Sequence, residues 1–193
     1  MNGVVDGVVN SASWCSLPHA ASEQESLEAV LDDLAPVFET VPAVDGERDG
    51  ALLVVSDDAG SATAVKFWRD ALSTGLAVAS PAAFPWCLAN APCALVAQRF
   101  GVTGPNLTWL VSFDDPLAAF DAPSAWLAEY MCAAAENRKP RDAWLLALHF
   151  AAPTARAMCW RLRNSGGEND RDDALSLATA VRDKIAAEWT SSL

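Results

Sequence analysis

The order of hydrophobic and polar positions along the chain alternates between a helical spacing and short extended runs. Apolar residues three or four positions apart predict five helices, near residues 22–38, 62–73, 86–100, 116–135 and 175–189. Short apolar or β-branched runs predict five strands, at residues 4–13, 51–55, 107–111, 144–150 and 156–162. Strands that alternate with helices indicate an α/β fold. The last two strands are close in sequence and predict an antiparallel pair, hence a layered mixed sheet of about five strands covered by helices.

Two details of the helical pattern predict where helices end and what they bury. Pro36 and Pro123 lie inside predicted helices, and each is expected to kink or end its helix. Val65, Trp68 and Leu72 lie on one face of the second helix and are therefore expected to be buried.

Composition limits the class of protein. The chain has 193 residues, of which 52 % are hydrophobic and 20 % charged, and this predicts one globular domain over residues 1–193. The polar, glycine-containing stretch at 164–173 predicts a mobile loop. No apolar run is long enough to span a membrane, and no basic segment precedes an apolar run at the N-terminus, so we expect a cytoplasmic protein. The five irregularly spaced cysteines are then expected to be free thiols.

Charge narrows the range of partners. With 13 Lys+Arg against 25 Asp+Glu, the formal net charge is −12. Such a surface repels nucleic-acid phosphates and anionic lipid, so neither is expected as a partner. The same charge disfavours docking of an acidic protein.

Residues 80–108 carry the most informative motifs of the chain. In order along the sequence they are Ser80-Pro81, Phe84, Asn90-Ala91, Arg99-Phe100-Gly101 and Gly104-Pro105-Asn106. This set resembles the segment that leads to the catalytic cysteine of β-ketoacyl synthases. In that family the cysteine lies nine residues after the glycine of the last motif, and here that position holds Phe113.

The resemblance implies a thiolase-like fold without the ketosynthase reaction. A ketosynthase consists of two similar halves, and the order of elements here is similar to the first half. Condensation needs a thiolate to hold the acyl chain, which Phe113 cannot supply. It also needs two histidines of the second half, whereas His19 and His149 lie in no such motif. The chain is most similar to short ketosynthase-like proteins and chain-length factors, which accompany fatty-acid, polyketide and aryl-polyene-type pathways.

Few other residues are candidates for chemistry or binding. Phe113 is expected either to fill an acyl tunnel or to be a core residue, while Asp114 and Asp115 precede Pro116 as a helix N-cap does. Cys87, Cys93 and His149 offer a relocated thiol chemistry, although buried structural roles are the simpler expectation. No cysteine motif with zinc-ligand spacing exists, so neither a metal nor a cofactor is expected. The candidate binding residues are Phe113, Trp86, Asn90 and Trp109.

The helix at 116–135 bears on partners because its sequence is apolar on nearly every side. In the family this helix packs between the two halves, so a single half needs something to cover it. A second copy of the chain or a ketosynthase-type subunit would do so, and the strand at 107–111 could pair across such a dimer. The sequence therefore predicts a non-catalytic, ketosynthase-like accessory subunit. An acyl-chain or small-molecule binding protein and an enzyme with relocated cysteine chemistry are the alternatives.

Overall fold

One mixed β-sheet separates two layers of helices in the structure, which is a computed structural model. It describes residues 8–9, 15–18, 23–136, 141–150, 154–164 and 172–191. Six strands are present among these residues: β1 Val8–Val9, β2 Cys15–Pro18, β3 Gly50–Ser56, β4 Asn106–Leu110, β5 Arg141–His149 and β6 Thr154–Asn164. The helices are α1 Glu23–Glu39, α2 Ser61–Thr74, α3 Ala91–Phe100, α4 Pro116–Glu136 and α5 Asp172–Ser191. Two short 3₁₀ turns, Leu76–Val78 and Phe84–Cys87, lie between α2 and α3.

The predicted α/β class and the antiparallel pair are confirmed. The body of the sheet has four strands in the order β4–β3–β5–β6, with β3 parallel to both neighbours and β6 antiparallel to β5. The prediction of about five strands is wrong for this body. The predicted strand at 4–13 is represented in the described residues only by β1, which pairs with the outer edge of β6 together with β2.

Strand β3 lies at the centre of both hydrophobic layers. All seven of its residues are buried, as expected for a strand with parallel neighbours on both sides and helices on both faces. Its Leu53 and Val55 face α4 and α5, while its Leu52 and Val54 face α1 and α3. Side chains of β5 and β6 divide between the same two layers, so the sheet has no solvent-facing side over these strands.

Helix boundaries differ from the sequence pattern at three places. Pro36 does not end α1, which continues to Glu39, and Pro123 lies within the uninterrupted α4. The helix predicted from residue 86 begins only at Ala91, because residues 84–87 form a 3₁₀ turn and Pro92 occupies the first turn of α3. The loop predicted at 164–173 is shortened by β6 and α5, and residues 165–171 lie outside the described residues.

Exposure corrects two predictions about buried helix faces. Val65, Trp68 and Leu72 of α2 are more than half exposed, with Leu72 at 85 %, and the residues that α2 buries are Phe67 and Ala71. Helix α4 is not buried all round. It packs on the sheet and on α5 through its large apolar residues, and its outer face is formed by Leu117, Ala118, Asp121, Ala122, Ala125, Glu129 and Ala133.

The prediction that the whole of α4 requires a cover is therefore wrong, because α5 covers one side and the described outer face is formed by small or acidic residues apart from Leu117. The final helix was predicted more closely. Val181, Ile185 and Trp189 are buried, although Leu175 is 77 % exposed.

No helix within the described ranges is long and apolar enough to cross a membrane.

Candidate functional site

The carboxyl ends of the three parallel strands meet at one edge of the sheet. Asp57 follows β3 directly, His149 is the last residue of β5, and Phe113 lies three residues beyond the end of β4. Ligands of open α/β sheets bind at this edge, because the strand ends there leave side chains and loops free to converge. We therefore take this edge as the candidate site.

Asp57 and His149 form a side-chain pair across this edge. Oδ2 of Asp57 is in close hydrogen-bond contact with Nδ1 of His149, and Oδ1 accepts a hydrogen bond from the backbone N–H of Phe150 at 3.0 Å. The side chains are 22 % and 24 % exposed, so both reach the surface from a partly buried position. Both carboxylate oxygens of Asp57 are thus bound to the end of β5.

The neighbouring Asp58 is held at the start of α2 by its environment. Its Oδ1 accepts a hydrogen bond from the N–H of Ala62 at 2.9 Å. Partial burial raises the pKa of the Asp58 carboxyl, the hydrogen bond from Ala62 lowers it, and the charge of Asp57 adds to the rise. Ser56 completes the turn, because its hydroxyl accepts hydrogen bonds from the N–H groups of Asp58 and Ala59.

Aromatic rings enclose the inner side of the pair. Phe113 is stacked on Trp189 of α5 with ring centroids 4.6 Å apart, and its ring meets the His149 ring edge-on at 5.4 Å. Phe120 of α4 packs against Phe113 at 5.9 Å and against Trp189 at 6.1 Å. Phe113 is only partly buried, so it belongs to the margin of the core and lies against the imidazole.

The two aspartates that follow Phe113 have separate local roles. Oδ1 of Asp115 accepts hydrogen bonds from the N–H groups of Leu117 and Ala118, which confirms the predicted cap of α4. Asp114 instead accepts a hydrogen bond from the Ser112 hydroxyl at 2.8 Å.

The other predicted binding residues lie apart from this site. Trp86 packs against the layer that contains α1 and α3, whereas Trp109 packs against the layer that contains α4 and α5. Asn90 is exposed at the start of α3, where its carbonyl accepts a hydrogen bond from Ala94. The structure therefore brings Phe113 to His149 and does not gather all four candidates into one pocket.

The predicted cysteine candidates are also separated from His149. Cys93 is fully buried in the α1–α3 layer, with Sγ 3.8 Å from the carbonyl oxygen of Leu52, and burial raises its pKa to about 11. Burial also raises the pKa of the Cys87 thiol. Because the sheet lies between Cys93 and the Phe113–His149 contact, the structure forms no Cys93–His149 pair.

Burial of these thiols predicts their reactivity. In the native chain at pH 8 we expect Cys93 and Cys159 to resist alkylation by iodoacetamide, because both are buried and burial raises both pKa values. Cys87 and Cys132 are partly exposed and serve as internal comparators. Peptide mass mapping before and after addition of denaturant measures this difference. Equal modification of Cys93 in both states would contradict its buried position.

Sequence reasoning missed Asp57 as a functional candidate. It gave His149 only as a partner for a relocated cysteine or as a buried structural residue, because no local motif links His149 to an aspartate so far away in the sequence. The available signal was that an acidic residue directly follows a fully buried strand, while a histidine ends another. In the parallel register Ser56 pairs with Leu148, so the residues that follow them, Asp57 and His149, lie next to each other.

A second group of exposed apolar residues is concentrated in a segment of the chain that has almost no charge. Between Asp70 and Asp114 the only charged residue is Arg99, which forms an ion pair with Asp32 at 3.0 Å. We use the name neutral face for the exposed apolar residues of this region together with those of α2, where Lys66, Arg69 and Asp70 are also exposed. It comprises Val65, Trp68, Leu72, Leu76, Val78, Phe84, Leu88, Leu107 and Leu110.

Strand β4 contributes an open sheet edge to the neutral face. Within the part of the chain that the structure describes, it pairs with β3 on one side only, and its five residues carry no charge and no proline. Such an edge leaves backbone N–H and C=O groups free to pair with another chain.

Comparison with known proteins finds no family whose model matches this sequence, and no curated protein with significant similarity to it.

Proposed function

We propose that the chain is a ketosynthase-like accessory subunit that acts by protein–protein contact in a fatty-acid or polyketide-type pathway. Aryl-polyene synthesis is one pathway of this type. The observation that carries the proposal is the setting of Phe113. This residue replaces the nucleophile of the family that residues 80–108 resemble, and its ring is packed between Trp189, Phe120 and His149. A chain with an aromatic side chain at this position holds no acyl group as a thioester, so it does not condense acyl groups itself, and this favours a role through contact with a catalytic subunit.

The neutral face supports a role in contact. Nine exposed apolar residues concentrated in this part of an acidic chain favour an interaction surface, since the other exposed large hydrophobic residues of the described chain are scattered. Repulsion between acidic chains is smallest where charges are absent. A ketosynthase-type subunit or a second copy of this chain fits such a surface, and the open edge of β4 offers backbone groups for pairing in either case. Direct docking of an acidic acyl carrier protein remains disfavoured by the net charge of −12.

The test is capture of a ketosynthase-type subunit by the tagged chain after co-expression, with light scattering to measure self-association. We expect Leu110→Glu to abolish capture or self-association, because it places a charge on the open edge of β4. Leu175→Glu is the matched control, since Leu175 is the same residue type and is also exposed but lies on α5, outside the neutral face.

A wild-type chain that stays monomeric and captures no synthase would overturn the proposal. Equal capture by both variants would also count against it, because the neutral face would then not be the contact. The alternative of an acyl-chain binding protein predicts binding of free acyl ligands that is unaffected by Leu110→Glu.

A further inference from the structure

The Asp57–His149 pair has the construction of a catalytic base. We propose that these residues form an acid–base dyad that hydrolyses acyl thioesters or esters at the carboxyl edge of the sheet, with His149 as the catalytic residue and Asp57 as its positioning residue. This activity is separate from condensation, because it needs neither a thiol nor the second half of a ketosynthase.

Hydrogen bonding assigns the reactive nitrogen. An ionised carboxylate only accepts hydrogen bonds, so its contact with Nδ1 places the imidazole proton on that nitrogen. Nε2 of the neutral ring is then without a proton and acts as the base. The N–H of Phe150 holds the other carboxylate oxygen, so the carboxylate cannot rotate away from the ring. When the ring takes up a proton, Asp57 stabilises the positive charge.

The surroundings indicate the class of ligand. Phe113 borders the imidazole on its inner side with the buried Trp189 behind it, and an apolar chain or aromatic group can lie against the partly exposed Phe113 ring. The partial exposure of His149 leaves room for water to approach from outside. That the ligand is an acyl thioester or ester, rather than another carbonyl compound, rests on the proposed function.

The reaction requires only water as a co-reactant. Nε2 takes a proton from water as the water oxygen attacks the carbonyl carbon of the acyl group. The carbon–sulfur bond, or the carbon–oxygen bond of an ester, then breaks and its electron pair goes to the leaving atom. The imidazolium returns its proton to that atom, so the products are a carboxylic acid and a thiol or an alcohol.

The test uses the full chain with hexanoyl-N-acetylcysteamine, and loss of the thioester is followed by chromatography. We expect His149→Gln to lower the rate about 100-fold, which is the usual contribution of a general base. Asp57→Asn should lower it at least about tenfold, because the amide leaves the ring without a carboxylate to orient it. His19→Gln removes the only other histidine and should leave the rate unchanged.

A wild-type rate no higher than that of buffer alone would overturn the proposal, as would equal rates in wild type and His149→Gln. Should His149→Gln fail to fold by circular dichroism, Asp57→Asn decides: an unchanged rate in this variant rejects the dyad. Capture of a synthase does not depend on this dyad, so failure of hydrolysis leaves the proposed accessory function standing, and failure of capture leaves the dyad standing.

Discussion

Replacing Gly104 by alanine is expected to destabilise the protein by about 3 kcal/mol or more. A Cβ at this position would overlap the backbone carbonyl of Gly50 at the start of β3. Backbone atoms cannot rotate aside as a flexible side chain can, so β3 or the segment before β4 would have to move, and overpacking of this kind costs the most where relief is least available. Such a movement would also displace the adjoining hydrogen bond from the N–H of Leu52 to the carbonyl of Pro105.

Urea unfolding followed by tryptophan fluorescence measures this loss. Gly46→Ala is a matched control, because Gly46 has a positive φ of 84° but nothing lies within 4 Å of an added Cβ. Its cost should be about 1 kcal/mol, from the backbone conformation alone. If Gly104→Ala cost no more than this control, the close approach of β3 to the segment before β4 would be wrong.

The second large effect is expected from Trp189→Ala, at about 3–5 kcal/mol. Trp189 is 2 % exposed, and its ring contacts Phe113 and Phe120, so its loss would leave a cavity between α4, α5 and the sheet. Trp68→Ala is the matched control. It removes the same side chain from α2, where 51 % of the residue is exposed, and should cost less than about 1 kcal/mol.

Thermal unfolding of both variants compares these costs. The expected order is a large fall in melting temperature for Trp189→Ala and a small one for Trp68→Ala. The reverse order would mean that the neutral face is part of the folding core of the single chain. Because Trp68 belongs to the neutral face, its loss should instead weaken capture of a partner.

The sequence predicted which segments form helices and strands more reliably than it predicted which faces of the helices are buried. The run at 51–55 identified β3 because a strand buried on both faces has no polar side to interrupt it. The α2 prediction failed because helical spacing of apolar residues is the same for a face that meets the core and for one that lies at the surface. Leu72 satisfies the pattern and is exposed. For α4 the prediction overlooked Asp121 and Glu129, which mark the outer face.

The candidate site was predicted only in part. Phe113 was identified from its distance to the Gly104 motif, whereas its neighbour His149 was considered only for cysteine chemistry or as a buried structural residue. Register between strands is set by long-range pairing, and nothing near Asp57 or near His149 in the sequence encodes it. The Gly104 motif does not by itself identify a function. The close approach of the Gly50 backbone requires a glycine at this position, and this packing requirement is the same whatever the protein does.

The arrangement of β3 has a consequence for synthesis on the ribosome. Val54 pairs with Thr108 on one side and with Leu146 on the other, so β3 is made long before either of its neighbours. Among the strands of the described residues, only β5 and β6 form a pair that is local in sequence. A nascent chain therefore carries the buried, mostly apolar β3 with at least one edge unpaired until residues near 146 have emerged, and such a chain is prone to aggregation. Fragments that end before β5 should accordingly be insoluble or bound to chaperones, whatever the full chain does in the cell.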